Sequence, residues 1–254
     1  MDPAFPVSTH HYIACDGVAL AWHETGEGRP VVLLHGLFSN AEVNWIKFGH
    51  AATIAARGMR VIMPDLRAHG ESGKPHDPAA YPPDILSRDG LALIERLQLE
   101  DYDLGGYSLG ARTAARMVLT EAKPRRLLLG GMGLAGMLDA EARAEHFRRI
   151  LTGLGSFERG SPQWLAEAFL KTTGGDPAAL LPLLDSFVDT GEAELAAIRT
   201  DCLVLSGTED HDNGSAQALA ARLPAARYAG LPGTHMSVVT RPEFGAAVAD
   251  FLAA

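Results

Sequence analysis

Ser108 is the residue whose sequence context most clearly favours chemistry. It is the centre of a Gly-x-Ser-x-Gly pentapeptide at 106–110, which follows a short apolar stretch at 102–105 and precedes a helix-like run at 111–119. Between a strand and a helix, this motif forms a sharp, strained turn that exposes the serine oxygen at the start of the helix. The flanking glycines let the strand and the helix approach closely. The pattern predicts a nucleophilic serine.

A base and an acid must accompany this serine, because an alcohol is a weak nucleophile at neutral pH. His235 follows the last predicted strand, and Asp210 follows the strand before it. Loops at the carboxyl ends of parallel strands meet at one edge of a sheet. We therefore predict a catalytic triad of Ser108, His235 and Asp210, with Asp212 and Glu209 as alternatives for the acid.

The segments that must position these residues alternate between strands and helices. Continuous apolar runs, for example at 31–34, 61–63 and 202–205, predict strands buried on both faces of a mostly parallel sheet. Trp45 to Ala56 is a predicted helix. The alternation stops over 138–198, where helical segments broken by glycine and proline contain no strand-like stretch, which predicts a helical insertion. Its predicted helix N-caps are Asp139, Ser161 and Asp176.

Four further motifs accompany the serine pentapeptide along the chain. They are His35-Gly36, Asp65-x-Arg67-x-His69-Gly70-x-Ser72, Gly207-x-x-Asp210 and Gly233-x-His235. With these motifs in this order, the chain resembles the α/β-hydrolase superfamily over nearly its whole length. It is most similar to the capped members with a serine nucleophile, the esterase and carbon–carbon hydrolase branch. The order serine, acid, histidine is also the order found in that superfamily.

The resemblance implies an α/β fold with a mostly parallel eight-stranded sheet, in which only the second strand is antiparallel. Helices are expected on both faces, and a helical cap is expected after strand 6. The implied domains are a core at 1–134 and 200–254 and a cap at 135–199. The implied oxyanion hole consists of the backbone N–H groups of Leu37 and Leu109, which would stabilise a developing negative charge.

Several residues near these motifs are candidates for substrate binding. They are His35, Phe38, Arg112, Trp164 and Met236. His35 and His69 are expected mainly to shape the loops around the site. Arg112 lies one helical turn after Ser108, so it is a candidate for meeting an acidic substrate, and the alternative is a solvated surface arginine.

Composition narrows the class of partner. A formal net charge of −9 disfavours nucleic acid and anionic membranes, and no apolar run approaches the ~20 residues of a membrane span. Met1 to Thr9 lacks the features of a signal peptide, so a cytoplasmic enzyme with a small-molecule substrate is expected. Monomer and homodimer both remain open.

No nucleotide-binding glycine motif is present and His10-His11 is a poor metal site, so we predict no cofactor and no metal. Cys15 and Cys202 are predicted to be buried free thiols.

Three functional hypotheses follow from these observations. The preferred one is a cofactor-free serine hydrolase of a small, largely apolar carboxylic ester, lactone or thioester, acting through an acyl-enzyme on Ser108. The second keeps the same triad for carbon–carbon bond hydrolysis, a perhydrolase reaction or an elimination. The third is a ligand receptor with little turnover. The cap sequence does not decide between substrates.

Overall fold

The computed structural model describes residues 5–254 and contains one eight-stranded sheet. The expectation that Met1 to Thr9 is not a signal peptide and the start of the predicted core domain both fall in part on residues 1–4, which lie outside the described residues. The strands are β1 (Ser8–Ile13), β2 (Ala19–Thr25), β3 (Arg29–Leu34), β4 (Met59–Pro64), β5 (Asp103–Tyr107), β6 (Arg126–Gly130), β7 (Asp201–Gly207) and β8 (Ala226–Leu231). Their order across the sheet is β1-β2-β4-β3-β5-β6-β7-β8.

Only β2 runs against the rest of the sheet, as predicted. It pairs antiparallel with both β1 and β4, and the other neighbours are parallel. The register aligns Leu34 with Gly106 and Gly207 with Leu231. The carboxyl ends of β3, β5, β7 and β8 therefore lie along one edge, and the loops that follow them share that edge.

Helices cover both faces of the sheet. They are α1 (His50–Ala55), α2 (Ile85–Arg96), α3 (Leu109–Thr120), α4 (Leu134–Leu138), α5 (Ala140–Thr152), α6 (Pro162–Thr172), α7 (Pro177–Leu184), α8 (Glu192–Ala197), α9 (Ala216–Arg222), α10 (His235–Val238) and α11 (Pro242–Ala253). None of these helices, within residues 5–254, is long and apolar enough to cross a membrane.

The core consists of two apolar layers, one on each face of the sheet. Alternate residues of β3 enter opposite layers, Val32 and Leu34 on the side of α2, α3 and α9, and Val31 and Leu33 on the side of α1 and α11. All four side chains are fully buried. This two-sided burial explains the continuous apolar run that predicted the strand.

Five of the helices, α4 to α8, lie between β6 and β7, in the segment predicted as the insertion. The predicted N-caps Asp139, Ser161 and Asp176 accept hydrogen bonds from backbone N–H groups in the first turns of α5, α6 and α7. These caps explain where the three helices begin. The division of the chain into a core and a cap stays a prediction.

Two local predictions were wrong. The predicted helix from Trp45 to Ala56 is a π-helical turn at Glu42–Ile46 followed by the separate helix α1. The break occurs because Gly49 adopts a left-handed conformation, with φ of 78°. Cys15 is exposed because it lies in the turn between β1 and β2, whereas Cys202 is buried in β7; both thiols are free.

Candidate active site

The turn that carries Ser108 joins β5 to α3 with a strained backbone. Ser108 has φ of 53° and ψ of −114°, which non-glycine residues rarely adopt. A Cβ atom at Gly106 would lie 2.3 Å from the carbonyl carbon of Gly110, and one at Gly110 would lie 2.3 Å from the oxygen of Leu34. Both glycines are therefore required by close backbone contacts, and Ser108 is held at the amino end of α3.

His235 and Asp210 meet at the same edge of the sheet. His235 begins α10, after β8, and Asp210 follows β7. The Nδ1 atom of His235 lies 2.8 Å from Oδ2 of Asp210, and the two side chains are only 12% and 4% exposed. Because a carboxylate only accepts hydrogen bonds, Nδ1 carries the proton in this pair and Nε2 is left as the basic nitrogen.

Asp210 rather than Asp212 contacts the histidine. Oδ1 of Asp210 accepts a hydrogen bond from the backbone N–H of Asp212 at 3.2 Å, which fixes the carboxylate, while the Asp212 side chain is exposed. Ligand atoms of Asp210, Asp212 and His235 lie within 4.8 Å of one another, so these three residues could together hold an ion. An ion bound there would compete with the Asp210–His235 hydrogen bond.

Tyr107 connects the serine turn to His235. Its hydroxyl donates a 2.6 Å hydrogen bond to the main-chain oxygen of His235, and the two rings lie against each other with centroids 5.0 Å apart and planes tilted by 39°. Ser108 Oγ makes no hydrogen bond to any other group within residues 5–254. The structure thus brings His235 beside the residue that precedes Ser108, without a closed Ser108–His235 hydrogen bond, as is common in enzymes without substrate.

The loop after β3 faces the serine. A Cβ atom at Gly36 would lie 3.5 Å from the Cβ atom of Ser108. The N–H of Gly36 donates to Oδ1 of Asn44 at 3.0 Å, and the N–H of Phe38 donates to Nε2 of His69 at 3.3 Å. Between them, the N–H of Leu37 has no acceptor within residues 5–254.

The N–H of Leu109 is available for a different reason. Leu109 is the first residue of α3, where backbone N–H groups have no partner inside the helix. The amides of Leu37 and Leu109 thus occupy the two positions predicted for the oxyanion hole, and their catalytic role stays a prediction.

His35 and His69 are buried supports of this loop. The Nε2 atom of His35 accepts from the N–H of Leu66 at 2.9 Å, and Nδ1 of His69 lies 3.0 Å from the oxygen of Arg67. Burial lowers the pKa of His35, and burial together with the adjacent titratable ring of His35 lowers the pKa of His69 to about 3. Both rings are therefore neutral at neutral pH and serve as hydrogen-bonding spacers. The contacts of His35 support the predicted loop-shaping role, and its role in substrate binding stays a prediction.

The other candidate substrate residues are in different environments. Phe38 is buried and meets the ring of Phe147 edge-on at a centroid distance of 5.4 Å. Met236 follows His235 and is 51% exposed. Trp164 is half-buried near the start of α6, with no stacked aromatic ring within residues 5–254. Their roles in binding stay predictions.

Arg112 is buried rather than solvated. Its guanidinium lies over the Phe187 ring at 5.4 Å and donates to the backbone oxygen of Val188. Burial lowers the pKa of Arg112 to about 10. The alternative of a solvated surface arginine is wrong, and the contacts of Arg112 tie α3 to the segment that follows α7.

Sequence reasoning missed Tyr107, Asn44 and two residues of α5, Arg143 and Phe147. Tyr107 was the variable position of the pentapeptide, and no spacing rule indicates where its hydroxyl points. Asn44 lies immediately before the helix predicted at Trp45 to Ala56, and no motif in the sequence singled it out. Arg143 and Phe147 are separated by one helical turn, a signal that shows a shared face but not what that face contacts.

Comparison with known proteins identifies a family and relatives to which the sequence of this chain is similar. The model of the "Alpha/beta hydrolase family" matches residues 31–248. The AB hydrolase superfamily protein YisY of Bacillus subtilis is 30% identical over 227 residues, covering 79% of this chain and 81% of the relative. A 2-hydroxymuconate semialdehyde hydrolase of a Pseudomonas species is 30% identical over 126 residues, covering 49% of this chain and 43% of that protein.

A solved structure shows the same fold at lower identity. The chain aligns with a thermophilic esterase from Thermogutta terrifontis with a TM-score of 0.77 at 23% identity, covering 96% of this chain and 98% of the esterase. The similarity extends across both the sheet and the helices between β6 and β7, because almost the whole of each chain is aligned.

Proposed function

The chain belongs to the alpha/beta hydrolase family, and on that premise we propose that it is a cofactor-free serine hydrolase of a small, largely apolar carboxylic ester. A lactone or a thioester would be cleaved by the same steps. The single observation that supports the proposal most strongly is the 2.8 Å hydrogen bond between His235 and Asp210, at the sheet edge where the strained turn presents Ser108.

In the proposed mechanism, Ser108 Oγ attacks the carbonyl carbon while Nε2 of His235 takes its proton. Asp210 keeps Nδ1 protonated and stabilises the imidazolium. The amides of Leu37 and Leu109 hold the oxyanion of the tetrahedral intermediate. When the intermediate collapses, His235 returns the proton to the leaving oxygen. A water molecule, deprotonated by His235, then attacks the acyl-enzyme and releases the acid and free Ser108.

We also propose that 135–199 is a cap that encloses the substrate. Two contacts with the loop beside the serine support this role. The Thr173 hydroxyl, at the end of α6, donates a 2.6 Å hydrogen bond to the backbone oxygen of Phe38, and Phe147 of α5 packs against the Phe38 ring. Selectivity for the acyl or alcohol part would then depend on side chains of α5 and α6.

Carbon–carbon bond hydrolysis is the second candidate function. The match to the 2-hydroxymuconate semialdehyde hydrolase supports it, although that match covers less than half of either protein. The same Ser108, His235 and Asp210 would serve, so only the substrate separates the two candidates.

The test compares the wild type with Ser108→Ala on two substrates, p-nitrophenyl butyrate and a vinylogous 1,5-diketone. Ester hydrolysis by the wild type that falls by a factor of at least ~10³ in Ser108→Ala supports the main proposal. Turnover of the diketone alone would favour the second candidate. Undiminished ester turnover by Ser108→Ala would reject the assignment of Ser108 as the nucleophile.

A further inference from the structure

Arg143 differs from the other arginines of α5 in having no carboxylate close to it. Arg148 pairs with Asp185, and Arg149 lies 3.6 Å from Glu145. No carboxylate within residues 5–254 lies within 4.0 Å of the Arg143 guanidinium, although this residue is half-buried. A cation that is partly withdrawn from water without an ion-pair partner is a costly arrangement.

The contacts of Arg143 place it on the side of α5 that faces the candidate site. Its guanidinium lies over the ring of Phe147 at 5.0 Å, and Phe147 meets Phe38, the residue after Leu37. The carboxylates whose charges act on it are Asp212 and Asp210, in the loop that holds the triad acid. Arg143 is thus linked through Phe147 to the loop after β3, which contains Leu37 and Phe38, and it is under the charges of the loop after β7 that contains Asp210 and Asp212, here called the acid loop.

The surroundings keep this cation available for a ligand. Burial lowers the pKa of the Arg143 guanidinium, and the charges of Asp212 and Asp210 partly oppose that effect. None of its nitrogens is sealed from solvent without a partner. The stacked Phe147 ring restrains the stem, so a bound anion would not have to order a free side chain. Burial and the charges of Arg143 and Arg149 lower the pKa of the neighbouring His146, which is therefore neutral and does not supply the charge.

We infer that Arg143 binds a carboxylate on the substrate, so that the preferred substrates are small, largely apolar esters that carry one anionic group. A planar guanidinium with free donors matches a carboxylate in two parallel hydrogen bonds. The inference rests on the proposed function, because it assigns a substrate class to the same site. Arg143 is a specificity-determining residue in this account and has no part in bond breaking.

The experiment uses two pairs of esters that differ only in charge. The first pair is 4-nitrophenyl hemiglutarate and its methyl ester, with the carboxylate on the acyl side. The second is 4-acetoxybenzoate and its methyl ester, with the carboxylate on the alcohol side. The ratio of kcat/KM for the anionic ester to that for the neutral ester is measured in the wild type, Arg143→Gln, Arg143→Lys and Arg149→Gln. Arg149→Gln is the matched control, because it removes the same charge from an exposed position on the same helix.

The wild type is expected to prefer the anionic member of at least one pair by about tenfold or more, as a charge-assisted hydrogen bond predicts. Arg143→Gln should reduce that ratio to within about twofold of one, Arg143→Lys should retain part of it, and Arg149→Gln should leave it unchanged. The inference is overturned if the wild type has no preference in either pair, or if Arg143→Gln slows both members equally. The second outcome would mean that Arg143 only balances the charge of the acid loop.

A binding measurement separates this inference from the proposed function. Titration of the Ser108→Ala protein with monomethyl glutarate and dimethyl glutarate requires no turnover. Tighter binding of the anionic ester that disappears in the Ser108→Ala/Arg143→Gln protein supports the anion site even if no ester is hydrolysed. Equal binding of both esters, together with turnover of neutral esters by the wild type, would reject the anion site and leave the serine hydrolase proposal intact.

Discussion

The hydroxyl of Tyr107 donates a 2.6 Å hydrogen bond to the main-chain oxygen of His235. The residue immediately before the proposed nucleophile therefore holds the backbone of the proposed base. The ring of Tyr107 is seated against Gly131, where a Cβ atom would come within 2.3 Å of it. The positions of Ser108 and His235 are thus coupled through one buried side chain, although the two residues lie 127 positions apart in the sequence.

Removing this hydroxyl in Tyr107→Phe should misplace His235 without removing it. We expect kcat to fall about fivefold with little change in KM, and the free energy of unfolding to fall by about 1 kcal/mol, the typical value of one hydrogen bond. Steady-state kinetics and urea unfolding measure the two effects. An unchanged kcat would show that the His235 main chain is held by its other contacts.

The two aspartates of the acid loop should differ sharply in their effect. Asp210→Asn would leave the imidazole without the acceptor that sets its tautomer, and kcat should fall by about 10³–10⁴. Asp212→Asn removes an exposed charge and should change kcat less than about threefold. The reverse order of effects would make Asp212 the catalytic acid.

A methyl group at Gly110 should disturb both the fold and the site. In Gly110→Ala the new Cβ would meet the carbonyl oxygens of Leu34 and His35 at 2.3 and 2.7 Å, and backbone atoms cannot rotate away. We expect a loss of about 2–3 kcal/mol in unfolding free energy, as for an overpacked core. Gly191→Ala is the matched control, because its Cβ would meet only Glu194 at 3.6 Å, with φ of −69°. A similar loss in both variants would contradict the close-contact explanation.

Stability should decrease on acidification because of the buried histidines. The pKa of His69 in the folded protein is lowered to about 3, whereas an unfolded histidine titrates near 6.5, so the unfolded chain binds the extra proton between these values. The contribution of His69 to the free energy of unfolding is complete above pH ~6.5. It falls by up to about 1.4 kcal/mol per pH unit as the pH drops towards 3.

Urea unfolding of the wild type and His69→Gln between pH 7.5 and 4 measures this dependence. The glutamine side chain retains an acceptor for the N–H of Phe38. The slope of unfolding free energy against pH should be shallower in the variant, by the equivalent of roughly one proton. The buried His35 contributes in the same direction, so a residual slope is expected in the variant. Parallel slopes would show that His69 is protonated in the folded protein.

Much of the candidate site could be predicted because it depends on chain order. Ser108, Asp210 and His235 each follow a parallel strand, β5, β7 and β8, and parallel strands bring the loops at their carboxyl ends to one edge of the sheet. The Leu37 amide was predicted from the resemblance to the superfamily, and the structure places its loop, after β3, beside β5. The central strands could also be predicted, because a strand that is buried on both faces of the sheet requires a continuous apolar run.

The features that sequence reasoning missed depend on side-chain direction. The hydroxyl of Tyr107 reaches the main-chain oxygen of His235 only through the tertiary packing of α10 on the sheet, and the face of α5 that carries Arg143 and Phe147 meets Phe38 only through the packing of α5. The burial of Arg112 depends on the segment that contains Phe187 and Val188, whose path is set by how α7 ends. The break at Gly49 could not be distinguished in advance from a helical glycine, because both choices suit the neighbouring apolar residues.

The most direct test of the central claim is to identify the residue that a fluorophosphonate modifies. Treatment of the protein with the reagent, followed by intact mass measurement and peptide mapping, should show one adduct per chain on Ser108, with ester turnover lost in proportion to labelling. Asp210→Asn should be labelled far more slowly. An adduct on any other residue, or full turnover by protein labelled on Ser108, would contradict the assignment of Ser108 as the nucleophile.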